Sequence, residues 1–242
     1  MPERFSASNA AKHMACHASA NLEDSILGYQ PPVVDEMKGA KGHGTNMHSI
    51  FELLMNLTRR DQMHFIRVLE YITELRDGKR YNVLTEQEVE AEWLDVDPRY
   101  GKRPTTTVDL VLYLQDELHI IDLKWGKILV DVIDNDQLMY YAACFSHLAP
   151  KAKGVWLHIL QPTADNLEKV WVSAADLKAW VDRALAAQRA IIRKDTTFGP
   201  SDHCKFCPAY PHSRGDKGKP LCPATMALLY PPPFNEDELL DI

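Results

Sequence analysis

The sequence lacks any apolar run long enough to cross a bilayer, and its first residues lack the apolar core of a secretory signal peptide. We therefore expect a cytoplasmic chain with no membrane partner. Basic residues are not in excess either, since 27 Lys and Arg stand against 34 Asp and Glu, for a net charge of −7. This balance argues against a protein that coats nucleic acid through broad positive charge. It does not exclude an enzyme whose site collects carboxylates.

Cysteine is also scarce, with five in 242 residues. In a cytoplasmic chain these thiols are not expected to form disulfides. Cys144 lies among apolar residues of a predicted helix, and we interpret it as an inert core residue. The remaining four lie near the two ends of the chain, at Cys16, Cys204, Cys207 and Cys222.

The C-terminal cysteines have the spacing of metal ligands. Two residues separate Cys204 from Cys207, and Cys222 follows directly before a proline. Four thiolates placed tetrahedrally hold Zn²⁺ or an iron–sulfur cluster, so a fourth ligand must come from elsewhere in the chain. If His203 or His212 supplied it, the result would be a zinc site of three cysteines and one histidine.

The most informative stretch of the sequence runs from Val108 to Lys124. Two apolar strands with a polar turn at residues 115–117 predict a hairpin. Asp109, Asp122 and Lys124 lie within these strands, where a charge is costly unless it is paired or bound to a metal. Side chains alternate along a strand, so Asp122 and Lys124 project from one face. Carboxylates of this kind suit Mg²⁺ or Mn²⁺, and a lysine beside the metal can position a water for attack on phosphorus.

The rest of the chain supplies helices and further strands. We predict helices at about 45–58, 61–76 and 135–147, strands at 86–93, 154–160 and 169–172, a possible short strand at 128–132, and a long helix from the capping box at Ser173 to about residue 193. Asp61 is the predicted N-cap of the second helix, and Gly78 the stop signal beyond it. Gln137 and Tyr141, four residues apart, share one helix face. A mixed sheet with a crossover helix indicates an α/β fold.

Taken in order, these motifs resemble the PD-(D/E)XK nuclease superfamily. Gln137-x-x-x-Tyr141 is similar to a motif of its RecB-like exonuclease branch, and Gly44-x-x-x-His48 is similar to the helical element of that branch. The cysteines resemble those of its iron–sulfur members, the CRISPR-adaptation nucleases and AddB-like subunits. The closest likeness is to a phage and prophage family of unknown function, and it spans roughly residues 5–223.

The resemblance implies a restriction-endonuclease-like core, in which helices flank a mixed central sheet, and a C-terminal cysteine-rich lobe clasped to the N-terminal helix. We accordingly divide the chain into an N-terminal helix with the first cluster cysteine (1–25), a nuclease core (26–195), a cysteine-rich lobe (196–229) and an acidic flexible tail (230–242). The resemblance also implies that Cys16 completes a 4Fe–4S cluster with Cys204, Cys207 and Cys222, and Zn²⁺ is the alternative metal.

Roles for the site residues follow from the same resemblance. Asp109 and Asp122 would ligate the catalytic Mg²⁺ or Mn²⁺ together with the main-chain carbonyl of Leu123, and Lys124 would orient the nucleophilic water. His48 would be a further ligand, which favours Mn²⁺ because imidazole suits transition metals. One more carboxylate would come from the preceding strand, with Glu86 preferred to Glu88. Gln137 and Tyr141 would bind a phosphate or the scissile strand.

We therefore expect a metal-dependent DNA exonuclease that acts at DNA ends or on single strands, in phage recombination or replication or in host-DNA degradation. Its partner is DNA, with phage recombination or replication proteins as possible further partners. The alternative is a non-catalytic module that keeps the nuclease fold and binds DNA ends, single strands or a recombination partner. A zinc-ribbon interaction protein would explain the cysteines but not Asp109, Asp122 and Lys124.

Overall fold

The computed structural model describes residues 5–19, 57–99, 101–195, 197–201, 203, 204, 207, 209 and 222–224. The chain divides into two compact units, one made of Met1–Gln30, Glu90–Thr106 and Lys178–Ile242, and the other of Pro31–Val89 and Thr107–Leu177. Within the described ranges, no helix combines the length and the apolar character that a bilayer span requires.

The secondary structure alternates helices with strands of one sheet. In chain order the described elements are α1 (Ala10–Ala15), α2 (Arg59–Arg76), β1 (Tyr81–Glu90), β2 (Thr105–Leu114), β3 (Glu117–Leu123), α3 (Asp136–Phe145), β4 (Gly154–Gln161), β5 (Asn166–Ser173) and α4 (Ala174–Ile192). Short 3-10 helices lie at Ala7–Asn9, Ser146–Leu148 and Pro162–Ala164.

The five strands form a mixed sheet in the order β1-β2-β3-β4-β5. The β2–β3 and β4–β5 pairs are antiparallel, whereas β3 and β4 are parallel. A parallel pair needs a crossover connection, and α3 lies in it, where it packs on both β3 and β4. The predicted α/β core, a mixed central sheet flanked by helices, is therefore confirmed.

One face of the sheet is closed by α2. Alternate residues of the central strands are buried there against Val68 of α2. Tyr71, Ile72 and Leu75, at helical spacing along α2, pack against the same cluster. The sheet residues of this cluster are Leu110, Leu112, Leu114, Ile121 and Leu160. Because side chains alternate, Leu118, Ile120 and Asp122 project from the opposite face.

Three local predictions are wrong: the N-cap of α2, the bounds of β1 and the short strand at 128–132. The N-cap of α2 is Thr58, whose hydroxyl accepts a hydrogen bond from the amide of Asp61 at 3.2 Å and donates to its carboxylate at 2.6 Å. Asp61 is thus the third helical residue, where an acid completes a capping box. Strand β1 covers Tyr81–Glu90 rather than 86–93, and residues 128–132 form no strand.

Other local predictions are confirmed. The β2–β3 hairpin turns at Gln115 and Asp116. Gly78, just beyond α2, has a φ of +70°, a conformation that favours glycine. The hydroxyl of Ser173 accepts from the amide of Asp176 at 3.1 Å and donates to its carboxylate at 2.6 Å, which starts α4 as predicted. Helix α3 is shorter than predicted, because Asn135 caps it and a 3-10 turn follows Phe145.

The unit that contains the chain ends is held by long-range polar contacts. The amide of Gln188 on α4 bonds the backbone of Asp95 in both directions, at 3.1 and 2.8 Å, and Arg189 forms an ion pair with the Asp95 carboxylate at 2.7 Å. Near the N-terminus, the amide of Ala18 donates to the carbonyl of Thr197 at 3.3 Å. These bonds connect segments that are distant in sequence.

Candidate active site

The hairpin brings the two predicted carboxylates together. Leu110 pairs with Ile121, so continuing the antiparallel register by one residue places Asp109 opposite Asp122. Residues directly opposite in an antiparallel pair share a face. The amide of Leu123 donates to Oδ2 of Asp109 at 2.7 Å, which holds that carboxylate against the end of β3. The pKa of Asp122 is raised mainly by burial, and the charge of Asp109 adds to that rise.

Asp122 is the buried member of the pair, with 2% of its surface exposed. Its Oδ2 lies 2.7 Å from Nζ of Lys124 in an ion pair, and no other described group bonds that oxygen. Burial raises the pKa of Asp122 by more than the Lys124 ammonium lowers it. The ionised carboxylate is therefore incompletely compensated, and a bound cation would stabilise it.

Lys124 follows the last residue of β3 and links the carboxylates to α3. Its amide donates to the carbonyl of Leu160 at 2.9 Å, which fixes its backbone beside the end of β4. Its ammonium contacts Asp122 and lies 3.4 Å from Oε1 of Gln137. About a quarter of the Lys124 side chain (27%) is exposed.

Gln137 and Tyr141 extend this arrangement along α3. Nε2 of Gln137 donates to the hydroxyl of Tyr141 at 2.8 Å, one helical turn away. The Tyr141 bond sets the orientation of the Gln137 amide, so that its oxygen faces the Lys124 ammonium. The structure thus joins Asp122, Lys124, Gln137 and Tyr141 in one polar chain.

Among the described residues, no hydrogen bond or ion pair joins Glu86 to this polar chain. Glu86 is exposed on β1 and adopts a φ of +47°, in the left-handed region. A left-handed residue interrupts the regular alternation of side chains along a strand, so the place of Glu86 as the further carboxylate stays a prediction. The charges that act on Asp122 are those of Lys124 and Asp109. His48 lies outside the described residues.

The donor set at the hairpin fits a hard divalent cation. Mg²⁺ usually binds one or two carboxylates and keeps waters or substrate phosphates as its other ligands. Asp109 and Asp122 supply that pair, and among the described residues the buried Oδ2 of Asp122 has the Lys124 ammonium as its one partner. In the part of the chain that the structure describes, no three Cys, His, Asp or Glu side chains are close enough to hold a metal by themselves.

The cysteines are only partly brought together. Cys207 and Cys222, each 9% exposed, pack with Ala209 in a small cluster. The amide of Cys207 donates to the carbonyl of Cys204 at 3.0 Å, which holds the backbones of these two residues together. Cys16 ends α1, and its Cα lies 3.7 Å from the position that a Cβ on Gly199 would take. His203 is exposed, and His212 is outside the described residues.

A family comparison covers most of these residues. The family described as "Protein of unknown function (DUF2800)" matches residues 55–242. The chain belongs to the DUF2800 family. The matched region contains Asp109, Asp122, Lys124, Gln137, Tyr141 and the three C-terminal cysteines, whereas Cys16 and His48 precede it.

Two solved structures are similar to this DUF2800 chain. One is from Eubacterium rectale and bears the name "Putative exonuclease"; it is 12% identical, with a TM-score of 0.46 over 94% of this chain and 93% of its own. The other, SSO0001, is 16% identical, with a TM-score of 0.40 over 82% of this chain and 81% of its own. Similarity at this level does not identify an activity.

Sequence reasoning missed the polar residues that hold the segment after Lys124. Gln161, Thr163 and Asn166 of the DUF2800 chain bond the backbone of residues 126–130. The sequence does contain one indication of this role, a glutamine at the end of a mostly apolar strand. A side-chain amide that is buried there needs hydrogen-bond partners. Its partners are more than thirty residues away, and no local pattern shows them.

Proposed function

We propose that this DUF2800 protein is a divalent-cation-dependent deoxyribonuclease, an exonuclease that hydrolyses phosphodiester bonds at DNA ends or in single strands. The observation that carries the proposal is the buried Asp122, which lies opposite Asp109 and in contact with Lys124 at the end of β3. The resemblance of the chain's motifs, taken in order, to those of the PD-(D/E)XK nucleases supports the same chemistry.

Asp109 and Asp122 would hold Mg²⁺ or Mn²⁺, and the Leu123 carbonyl and His48 are proposed as additional ligands. When bound, such a cation neutralises charge on the phosphate and lowers the pKa of a water for attack on phosphorus. The buried Asp122 fits this role because a carboxylate with a raised pKa gains the most from a nearby positive charge.

Lys124 is proposed to position the attacking water. Its ammonium carries only hydrogen-bond donors, so it can donate to the water or to a phosphate oxygen while it remains in contact with Asp122. Gln137 accepts from Nζ through Oε1, and Tyr141 fixes that amide by accepting from Nε2. These two helix residues would therefore keep the ammonium over the carboxylates and could also contact the scissile strand.

For the cysteines we propose a structural centre, a 4Fe–4S cluster ligated by Cys16, Cys204, Cys207 and Cys222, with Zn²⁺ as the alternative metal. The proposal is supported by the shared cluster of Cys207 and Cys222 and by the close approach of Gly199 to the Cys16 segment. Iron, acid-labile sulfide and zinc content of protein purified without oxygen would distinguish the two metals.

The function is tested with end-labelled single-stranded and duplex DNA in Mg²⁺, Mn²⁺ or EDTA. We expect label to be lost only with a cation. We also expect Asp122→Asn to slow the loss about a hundredfold or more, because it removes several kcal/mol of transition-state stabilisation. Asp116→Asn, an exposed aspartate in the turn of the same hairpin, is the matched control and should be unaffected.

Two results would contradict the proposal. Undiminished cleavage by Asp122→Asn would mean that the activity resides elsewhere or in a contaminant. DNA binding without cleavage under any cation would favour the non-catalytic binding module instead.

A further inference from the structure

The segment that follows Lys124 exposes aliphatic side chains. Ile128 is 87% exposed and Leu129 is 68% exposed, next to each other. Single exposed apolar residues are common on protein surfaces, but adjacent ones at the edge of a candidate site require an explanation. We call residues 126–130 the prong.

The prong is held in place by a buried polar scaffold. Gln161, which is fully buried, donates through Nε2 to the carbonyls of Gly126 and Ile128 at 2.7 and 2.8 Å. Its Oε1 accepts from the amide of Val130 at 3.2 Å. A side chain that bonds three backbone groups of one loop restricts it to one conformation.

Two further residues complete the scaffold. Asn166 donates to the carbonyl of Val130 at 2.9 Å, and the hydroxyl of Thr163 donates to the carbonyl of Gly126 at 2.9 Å. Three carbonyls and one amide of the prong are thus bonded to the protein, while the side chains of Ile128 and Leu129 are exposed. Their exposure is a fixed feature of the fold rather than the result of a loose loop.

The prong lies between two members of the candidate site. Lys124 precedes it, and Gln137, which Lys124 contacts, follows on α3. Gln161, its main anchor, comes directly after Leu160, whose carbonyl accepts from the Lys124 amide. Four residues of extended chain span at most about 14 Å, so the Cα atom of Ile128 cannot be farther than that from the Cα atom of Lys124.

The chemistry of the prong matches a polynucleotide. Lys127 is exposed and suits a phosphate, whereas Ile128 and Leu129 suit the apolar faces of bases. Rigid aliphatic side chains beside a duplex can insert between base steps and unstack them. Trp125 and Ile133 on either side are also exposed, but four side chains still fall below the roughly 800 Å² that each partner contributes to a standard protein interface, so a protein partner is a poorer match.

We infer that the prong is a strand-separating wedge: Ile128 and Leu129 insert at the terminal base pair of a duplex, and one freed strand passes to Asp109, Asp122 and Lys124. This inference rests on the proposed nuclease function. It assigns Ile128 and Leu129 to substrate specificity, and Gln161 to positioning, because Gln161 acts only through the backbone that it holds.

The first test compares a blunt duplex with a single strand of the same sequence. The double variant Ile128→Ser/Leu129→Ser should degrade the duplex about tenfold more slowly or worse, since it lacks the aliphatic side chains that would unstack the terminal base pair. Its rate on the single strand should stay near that of the wild type. Leu69→Ser, at a leucine of α2 that is 60% exposed, is the matched control and should change neither rate.

A second variant tests the scaffold. Gln161→Ala keeps both aliphatic side chains but releases their backbone, so it should also lose duplex degradation selectively. Its melting temperature and circular dichroism establish that it is folded. If folded Gln161→Ala degrades the duplex at the wild-type rate, the rigidity of the prong has no role and the inference fails.

A third readout needs no cleavage. Duplex DNA with 2-aminopurine at its terminal pair should fluoresce more strongly on addition of saturating wild-type protein in EDTA, and much less with the double variant. No rise with the wild type overturns the wedge, even if cation-dependent cleavage is found. Conversely, a rise without any cleavage supports the wedge while the proposed nuclease function fails.

Two other outcomes overturn the inference. One is an equal change of the duplex and single-strand rates in the double variant. The other is a double variant whose ratio of duplex rate to single-strand rate equals that of the wild type, but which no longer self-associates in analytical ultracentrifugation. That result would make the prong a contact between subunits.

Discussion

Asp122 is the residue whose setting is least favourable for stability and most informative for the proposed function. Its carboxylate is buried beside a second carboxylate, and one ammonium does not fully compensate it. Apolar strands on both sides explain the burial, and the register of the hairpin explains the proximity of Asp109. A carboxylate in this setting lowers the stability of the fold, and a bound cation, if present as proposed, would offset that loss.

The unfavourable burial of the Asp122 carboxylate predicts that a neutral side chain at this position stabilises the folded protein. Because the pKa of Asp122 is raised in the folded state, the ionised form is disfavoured at neutral pH, and the penalty is relieved as the pH falls through the raised pKa toward the ordinary value. In EDTA at pH 7, Asp122→Asn should therefore have a higher free energy of unfolding by urea than the wild type. Mn²⁺ should stabilise the wild type but not the variant. A less stable variant in EDTA would contradict this account.

At the scale of elements, the close packing of α1 against the segment at Thr197–Gly199 holds the Cys16 region to the chain that leads to Cys204. A Cβ on Gly199 would lie 1.8 Å from the carbonyl oxygen of Ala15, a distance that no side chain tolerates. Glycine is therefore required at this contact for steric reasons.

Gly199→Ala should thus destabilise the protein by about 1–3 kcal/mol, the usual cost of forcing extra atoms into a packed region. Gly126→Ala is the matched control, since nothing lies within 4 Å of its added methyl group. Urea unfolding of the two variants checks the difference. Equal stability would mean that the α1 contact is not maintained in solution.

The elements that sequence predicted well are those with a strong local signal. The hairpin follows from two β-rich runs around a polar turn, and the start of α4 follows from Ser173 and Asp176. The N-cap of α2 was misplaced because Thr58 and Asp61 both suit a cap, and only the bond between them shows their roles. The left-handed backbone at Glu86 could not be predicted, because glutamate has no preference for that conformation. The hydrogen bonds from Gln161 to the prong could not be predicted either, because they join residues that are distant in sequence.

For the whole molecule, a buried polar chain on the α2 face of the sheet sets the response to acid. Tyr71 lies 2.9 Å from Nδ1 of His158, and Nε2 of His158 lies 3.0 Å from Nδ1 of His119. Burial lowers the pKa of His119 to about 4 and that of His158 to about 3, and raises the pKa of Tyr71 to about 12. Both histidines are therefore neutral in the folded protein at neutral pH.

The fold should consequently lose stability in mild acid. The unfolded chain takes up protons below the ordinary histidine pKa of 6.5, and the folded chain does so only near 4 and 3. The free energy of unfolding should fall by up to about 1.4 kcal/mol per pH unit for each histidine over that window. Glu117, 3.8 Å from His119, opposes the effect weakly, while Lys79 and Lys169 favour the neutral rings.

Urea midpoints at pH 7.5 and 5 measure this effect. His158→Gln should have a shallower dependence on pH than the wild type, because one of the two depressed groups is gone. Asp122 acts in the opposite direction, since its raised pKa makes protonation stabilising, but it is a single group. A midpoint that does not change between the two pH values would show that the histidines are accessible to protons in the folded state.

The most direct test of the central claim is the single-turnover rate of cleavage of a single-stranded DNA in Mn²⁺, measured for the wild type and for Asp122→Asn. If Asp109 and Asp122 hold the catalytic cation, the wild type cleaves, the variant is slower by about a hundredfold or more, and EDTA abolishes the wild-type rate. Equal rates for the two proteins would contradict the assignment of the site, whatever the fold resembles.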